Sequence, residues 1–304
     1  MDLKIFFILA VTWIQLVRAQ DVCAASQPSF AAPARRISEQ KCREYNWERK
    51  KADKCSPPAT ESENTLYPYL GAIGYEKEDK PIAFLCNAVL VSPKFAVTTA
   101  HCVKNSHSIP ALVRFGIKNV KEDQSSKVDA KIVRTIVHPK YKAPKLAYDI
   151  GLIELESLAL TRSVMPACLW SNAEVENNAI VKVPAWANTS RDDKLSNIVR
   201  EMKVKIVDHE TCSQKYSIFF NNHDKRLPRI EDHHICADDS IDEAPMIIGV
   251  AGAPIITEVP LDGSADVMPY AHALSSFGFS NKAGIGVYVK IPSFLDWIED
   301  IVWG

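Results

Sequence analysis

From Leu66 onward the chain is built almost entirely of short apolar runs separated by turn residues, a texture that few folds can accommodate. YPYLGAIGY, AFLCNAVLVSPKFAVTTAHC, ALVRFGI, AKIVRTIVHP and DIGLIEL make one set; AIVKVPAWA, REMKVKIV, PIIT, YAHALSSFGF and GVYVKI make a second. The runs are rich in β-branched residues and turn signals recur about every ten residues, which predicts an all-β sandwich or barrel. Two sets joined near residues 160–178 predict two barrels.

The end of the chain has a different period. SFLDWIEDIVW opens on Ser293 as an N-cap with Asp296 three residues later, close to a capping box. Phe294, Trp297, Ile298 and Ile301 then share one helical face, so a short amphipathic helix is predicted to dock on the second barrel.

Residues 20–65 are polar and lack sustained periodicity. KCREYNWERKKADKC has room for a helical turn or two, and the remainder is predicted to be an extended arm tied down by cysteines. Ahead of it, residues 1–19 carry an apolar stretch from Ile5 to Leu16, with Val17 and Ala19 as small residues before a cleavage at Gln20. That pattern reads as a secretory signal peptide rather than a membrane anchor. The resulting domain plan is a signal peptide (1–19), a cysteine-containing arm (20–65) and a globular domain (66–304).

Eight cysteines, all beyond residue 19, favour disulfides in a secreted protein. No CxxC pair, HExxH helix or His-rich tract offers a metal site, and nothing calls for a cofactor. A net charge of −1 gives no electrostatic footprint for nucleic acid or an anionic membrane. Asn188-Thr189-Ser190 is a sequon suited to a glycosylated surface loop.

Three segments carry the chemistry. TTAHC sets His101 beside Cys102 after an apolar strand, YDIGLIEL sets Asp149 at the head of another, and GVAGAP (249–254) follows about a hundred residues later. In this order and with these flanks they resemble the trypsin-like (chymotrypsin-fold, S1) serine proteases, in which His, Asp and Ser succeed one another along the chain. The resemblance runs from about Leu66 to the C-terminus. It implies two six-stranded antiparallel β-barrels of the chymotrypsin type, a short C-terminal helix and an extended N-terminal arm. KCREY and the cysteine-bearing arm are most similar to insect proteases related to snake and the clip-domain group. A full clip domain needs six cysteines, and only three precede the barrels here.

The same resemblance implies Cys86–Cys102 around the histidine loop, Cys212–Cys236 in the second barrel, and a bridge from Cys168 to the arm. Cys55 is the expected partner of Cys168, leaving Cys23–Cys42. The other arrangement is Cys42–Cys168, with Cys23 or Cys55 free for an intermolecular link. SSFG (275–278) resembles the strand that lines the substrate backbone.

Departures from the family pattern cluster at the site. Gly-Asp-Ser-Gly-Gly-Pro is expected around the nucleophile, and Ala251 stands at the serine position. A methyl group has no lone pair for attack and no proton for His101 to take. Loss of such a nucleophile lowers the rate by on the order of a million-fold. Val250 replaces the aspartate that pairs with a newly formed N-terminus, and no Ile-Val-Gly-Gly stretch preceded by Arg or Lys lies between Cys55 and Tyr67. Pro245 takes the specificity-pocket position, Ile247 replaces the pocket cysteine, and Gly249 survives at the oxyanion position. Ala185, Ala187 and Ala253 stand where active relatives have glycine.

No catalytic residue is therefore expected to be active. His101 and Asp149 read as residues kept for the fold, and Ser275 and Ser276 as ordinary strand hydroxyls rather than substitute nucleophiles. Arg35-Arg36 reads as part of a mobile tail, and His233-His234 as a surface loop near Cys236. The expected protein is a secreted, inactive serine protease homologue. It acts by binding extracellular proteins (proteases, zymogens or their substrates), as a regulator or cofactor of an immune or melanisation cascade. A serine endopeptidase with residual or unconventional activity, and a secreted carrier or adhesion protein, are the other two classes.

Overall fold

The computed structural model describes residues 34–55, 67–77, 80–104, 108–123, 125–172, 175–187, 197–219, 228–241, 250–260, 267–279 and 284–304. Residues 1–19, Cys23, Asn188, Pro245, Ile247 and Gly249 lie outside them.

Six strands close the first barrel: β1 (Leu70–Lys77), β2 (Lys80–Ser92), β3 (Phe95–Thr98), β4 (Ile109–Phe115), β5 (Val128–Val137) and β6 (Gly151–Leu155), in the order β1-β2-β3-β6-β5-β4. After the two-residue β7 (Cys168–Leu169) come β8 (Ile180–Ala185), β9 (Arg200–Val207), β10 (His234–Asp238), β11 (Pro254–Pro260), β12 (Val267–Phe279) and β13 (Ile285–Lys290). They run β11-β8-β9-β10-β13-β12, and pairing of β11 with β12 closes the second barrel. β7 adds to β12 in parallel. Two six-stranded antiparallel barrels are thus present, as expected.

The apolar runs are nearly continuous because several strands of the first barrel bury both faces. On β2, Ala88 and Leu90 point into the first barrel, while Val89 and Val91 join a cluster in the seam that includes Leu274, Val289 and Phe294. On β6, Ile153 and Leu155 point inward and Leu152 points to the seam. With side chains alternating at period two, only an unbroken apolar run fills both sides. Each fully buried Leu, Ile or Val contributes about 1.5–3 kcal/mol.

The arm departs from expectation. Residues 37–55 form a 19-residue helix, α1 (Ile37–Cys55). Ser38, Cys42 and Tyr45, at i, i+4 and i+7, are its buried positions. The Arg36 guanidinium forks onto Glu299 at 3.0 and 3.0 Å and also reaches Asp296, so Arg36 is anchored rather than part of a mobile tail. Ser38 donates its hydroxyl to Glu299, and Trp303 Nε1–H donates to Tyr45 Oη at 3.3 Å.

Cys42 is bonded to Cys168, which corrects both expected pairings, Cys55–Cys168 and Cys23–Cys42. Helical geometry is the reason: Cys42 faces β7, whereas Cys55 lies more than three turns further along the helix. Cys55 is itself disulfide-bonded. Cys86–Cys102 and Cys212–Cys236 are both formed. Cys212 lies on α3 (His209–Phe219), which follows the one-turn helix α2 (Ala100–Val103) in chain order.

Ser293 is not an N-cap. It lies within a 3₁₀ turn, Ile291–Phe294, that leads into α4 (Leu295–Val302), whose cap position is Phe294 with no side-chain bond. Phe294 and Ile298 are buried in the seam with Trp297 and Ile301 beside them, so this helix covers the junction of the two barrels. Among the described residues no helix is long and apolar enough to cross a membrane.

Candidate functional site

His101, Asp149 and Ala251 come from three separate elements. His101 sits on α2, directly after β3; Asp149 precedes β6; Ala251 lies in the turn before β11. Cys86–Cys102 pins α2 to β2. The position of α2 also depends on Gly151, where a Cβ would come within 2.9 Å of Val103 Cγ2 and 3.2 Å of the Ile136 carbonyl oxygen.

The turn at Ala251 is held with equal economy. Gly252 has φ +75°, and a Cβ there would meet the Asn87 carbonyl oxygen at 2.0 Å. Only glycine fits this approach. Asn87, fully buried on β2, holds the turn from the other barrel. Its backbone N–H donates to the Ala251 carbonyl at 2.8 Å and its Nδ2–H to the same oxygen at 3.3 Å. Its Oδ1 accepts the Trp186 N–H at 3.1 Å.

Asp149 is fully buried and its carboxylate accepts three hydrogen bonds. His101 N–H donates to Oδ1 at 2.9 Å, His101 Nδ1–H to Oδ2 at 2.7 Å, and the Ser276 hydroxyl to Oδ2. A carboxylate can only accept, so His101 Nδ1 carries a hydrogen, and in the neutral ring the lone pair is on Nε2. Such an imidazole is oriented as a proton acceptor. The Ala251 side chain, packed against the core of the first barrel, supplies no hydroxyl for it.

The His101 ring lies within 4.8 Å of the sulfurs of Cys86 and Cys102, but these are joined to each other at 2.04 Å. A cysteine ligates a metal as its thiolate, which neither disulfide-bonded sulfur is, so the trio is not a metal centre.

Ser276 spends its hydroxyl on Asp149, and Ser275 sits on β12 exchanging main-chain bonds with Gly252 and Ala253 at 2.9 and 2.8 Å. Val250 is half-buried against the core of the second barrel. Ala185, Ala187 and Ala253 are buried in that same core, where methyl groups fill space.

His233-His234 is not a surface loop. His234 opens β10, is buried, and accepts the Glu231 N–H on Nδ1 at 3.0 Å; burial first, then the neighbouring charges, pushes its pKa down to about 3. His233 stacks on Tyr148, the residue before Asp149. The roles of Asn87, Tyr148 and His233 leave no motif; they arise from contacts across the seam.

A family model described as Trypsin matches residues 58–298. The chain belongs to the trypsin family. Among its relatives in that family, "Serine protease snk" of Drosophila melanogaster is 29% identical over 295 residues, covering 89% of this chain and 66% of that protein. "Serine protease Hayan" of the same organism is 28% identical and covers 78% of this chain and 37% of that protein. "Clotting factor G beta subunit" of Tachypleus tridentatus is 26% identical, covering 74% and 73%. This trypsin-family chain therefore spans just under two thirds of the first relative and well under half of the second. A solved structure described as "Structure of GrC" superposes with a TM-score of 0.62 at 22% identity, covering 77% of this chain and 94% of that one. It shares the fold.

Proposed function

We propose that this trypsin-family chain is a secreted, catalytically inactive homologue that works by binding proteins, as a regulator or cofactor of an extracellular proteolytic cascade. The observation that carries the reading is the pairing of an intact His101–Asp149 acceptor with a methyl group at position 251. The orientation of His101 is retained and the group it would serve is missing. The Ser276 hydroxyl is bound to Asp149, which supports the reading.

Other support comes from the sequence. Val250 cannot pair with a new N-terminus, Pro245 cannot attract a basic side chain, and the stretch between Cys55 and Tyr67 lacks an activation site. A Val at 250 also avoids a buried carboxylate with no partner. The apolar leader, residues 1–19, and the disulfides favour secretion, with Asn188 as a glycan acceptor. Within this plan residues 20–65 form an N-terminal arm and residues 66–304 a pseudoprotease domain. The names of the relatives, two serine proteases and a clotting-factor subunit, support a proteolytic-cascade reading.

The experiment is fluorophosphonate labelling of the secreted protein, before and after trypsin treatment, beside an active family member. Absence of labelling is the expected result, with crosslinking and mass spectrometry then identifying a bound protease, zymogen or substrate. Specific labelling of any hydroxyl means a working nucleophile and overturns the reading.

A further inference from the structure

Tyr148, immediately before Asp149, has φ 55°, a left-handed conformation uncommon for a bulky residue. Its ring lies between two histidines. His138 stacks on it at 5.3 Å with the planes 5° apart, and His233 stacks on it at 4.6 Å and 27°. Phe294 sits edge-on to all three rings at 5.2–6.1 Å, and Trp297 edge-on to His138 at 5.0 Å. The column thus joins the segment before β6, the segment before β10 and the C-terminal turn and helix.

Both histidines also accept a hydrogen bond from the backbone. Tyr148 N–H donates to His233 Nε2 at 3.2 Å, and Lys140 N–H donates to His138 Nδ1 at 3.3 Å. An imidazolium carries hydrogen on both nitrogens and accepts nothing. Protonating His233 therefore removes the bond that holds Tyr148, and protonating His138 removes the one that shapes its own turn.

We propose that the His138–Tyr148–His233 column is a pH-operated latch: at neutral pH it holds the segment carrying Asp149 against the second barrel and the C-terminal turn, and on acidification it lets go.

The surroundings set the direction. Around His233 stand Glu231, whose Oε2 is 3.6 Å from Nδ1, Asp232, Lys290 on β13 and the ring of His234 at 4.3 Å, with Tyr148 and Phe294 on the remaining sides. Burial is the largest influence; with Lys290 it outweighs the two carboxylates and holds His233 below its ordinary value of 6.5. His138 faces Lys140, His233, Tyr148, Phe294 and Trp297, and is held below the same value by burial, then by Lys140 and His233. A histidine depressed in the folded state supports the fold fully above 6.5 and loses that support as pH falls toward its folded value. The latch therefore closes above pH 6.5 and opens below it. His234, already tied to Glu231 N–H and buried, stays neutral through this window.

The test is amide hydrogen exchange of Tyr148 and its neighbours in the full chain between pH 8 and pH 5, with the intrinsic pH dependence of exchange divided out. Protection at Tyr148 is expected to be level above pH 7 and then to fall by up to about tenfold per pH unit below 6.5, one proton being taken up per opening at His233. In His233→Gln the side-chain oxygen still accepts the Tyr148 N–H but does not titrate, and the fall is expected to shrink to what His138 alone contributes. Level protection in the wild type across the whole range overturns the proposal, as does an unchanged fall in His233→Gln. Should that variant not fold, NMR of the wild type decides: the Tyr148 amide and the His233 ring must shift with one midpoint, and separate midpoints overturn the latch.

Discussion

Ser276 donates its hydroxyl to Asp149 Oδ2, the same oxygen that holds His101 Nδ1 at 2.7 Å. A fully buried carboxylate thus depends on a strand of the second barrel for one of its three donors. Removing a donor to a buried charge costs about 1.5–3 kcal/mol. Ser276→Ala is expected to be destabilised by that amount, a loss of several degrees in Tm. Ser275→Ala keeps both main-chain bonds and is expected to change much less. Equal melting curves for Ser276→Ala and wild type would show that Asp149 is satisfied without the hydroxyl.

Ala251→Ser restores a hydroxyl in a turn already fixed by Asn87 and Gly252. It is nonetheless expected to hydrolyse no peptide, because Val250, Pro245 and the absent activation site are unchanged. Amidase assays on a panel of peptides, with and without trypsin treatment, check this. Turnover by the single variant would show that position 251 alone silences the chain.

Asn87 links the barrels through its backbone N–H and its side chain: N–H and Nδ2–H both donate to the Ala251 carbonyl, and Oδ1 accepts the Trp186 N–H. Asn87→Ala strands the buried Trp186 N–H, at about 1–3 kcal/mol. The expected result in urea is a lower midpoint for the whole protein. A midpoint equal to wild type would mean that another acceptor takes over the Trp186 N–H.

How far the sequence revealed these contacts depends on where their partners lie. The barrels were legible because β2, β3 and β6 announce themselves as apolar runs, and the His101–Asp149 pair because AHC and DIGL sit at strand ends. Helix α1 was not, because what orders it is Glu299 and Trp303 near the other end of the chain, and Cys168 in the middle. Its buried face, Ser38, Cys42 and Tyr45, is too polar to show a helical period. His234 was misread for a related reason: a histidine buried by Phe277 and capped by its own loop looks, in one dimension, like any polar residue before a strand.

The tether of α1 gives its own prediction. Cys42–Cys168 closes a loop of 126 residues, and cross-links of that span are worth about 2–5 kcal/mol. The Arg36–Glu299 fork is partly exposed, so about 1 kcal/mol or less is expected from it. In guanidinium chloride, Cys42→Ser with Cys168→Ser should therefore lose several times more stability than Arg36→Ala. The reverse order would assign the docking of α1 to the ion pair.

Two histidines away from the latch add to the pH dependence of the whole fold. Burial pushes His234 down to about 3 and His272 down to about 4, against 6.5 when unfolded. His272, on β12, is buried and stacks on Trp170 at 4.2 Å, and neither of its nitrogens has a partner among the described residues. The unfolded chain takes up these two protons first, so their neutral burial supports the fold fully above pH 6.5 and progressively less below it. Each histidine contributes a slope of about 1.4 kcal/mol per pH unit between 6.5 and its folded value. Urea unfolding at pH 8, 7 and 5 should show little change across the first interval and a steep loss across the second. His272→Gln should flatten that loss by about 1.4 kcal/mol per pH unit if it folds. A wild-type stability that is level from pH 8 to pH 5 would mean that both rings gain a partner for the added proton, which the buried setting of His272 does not provide.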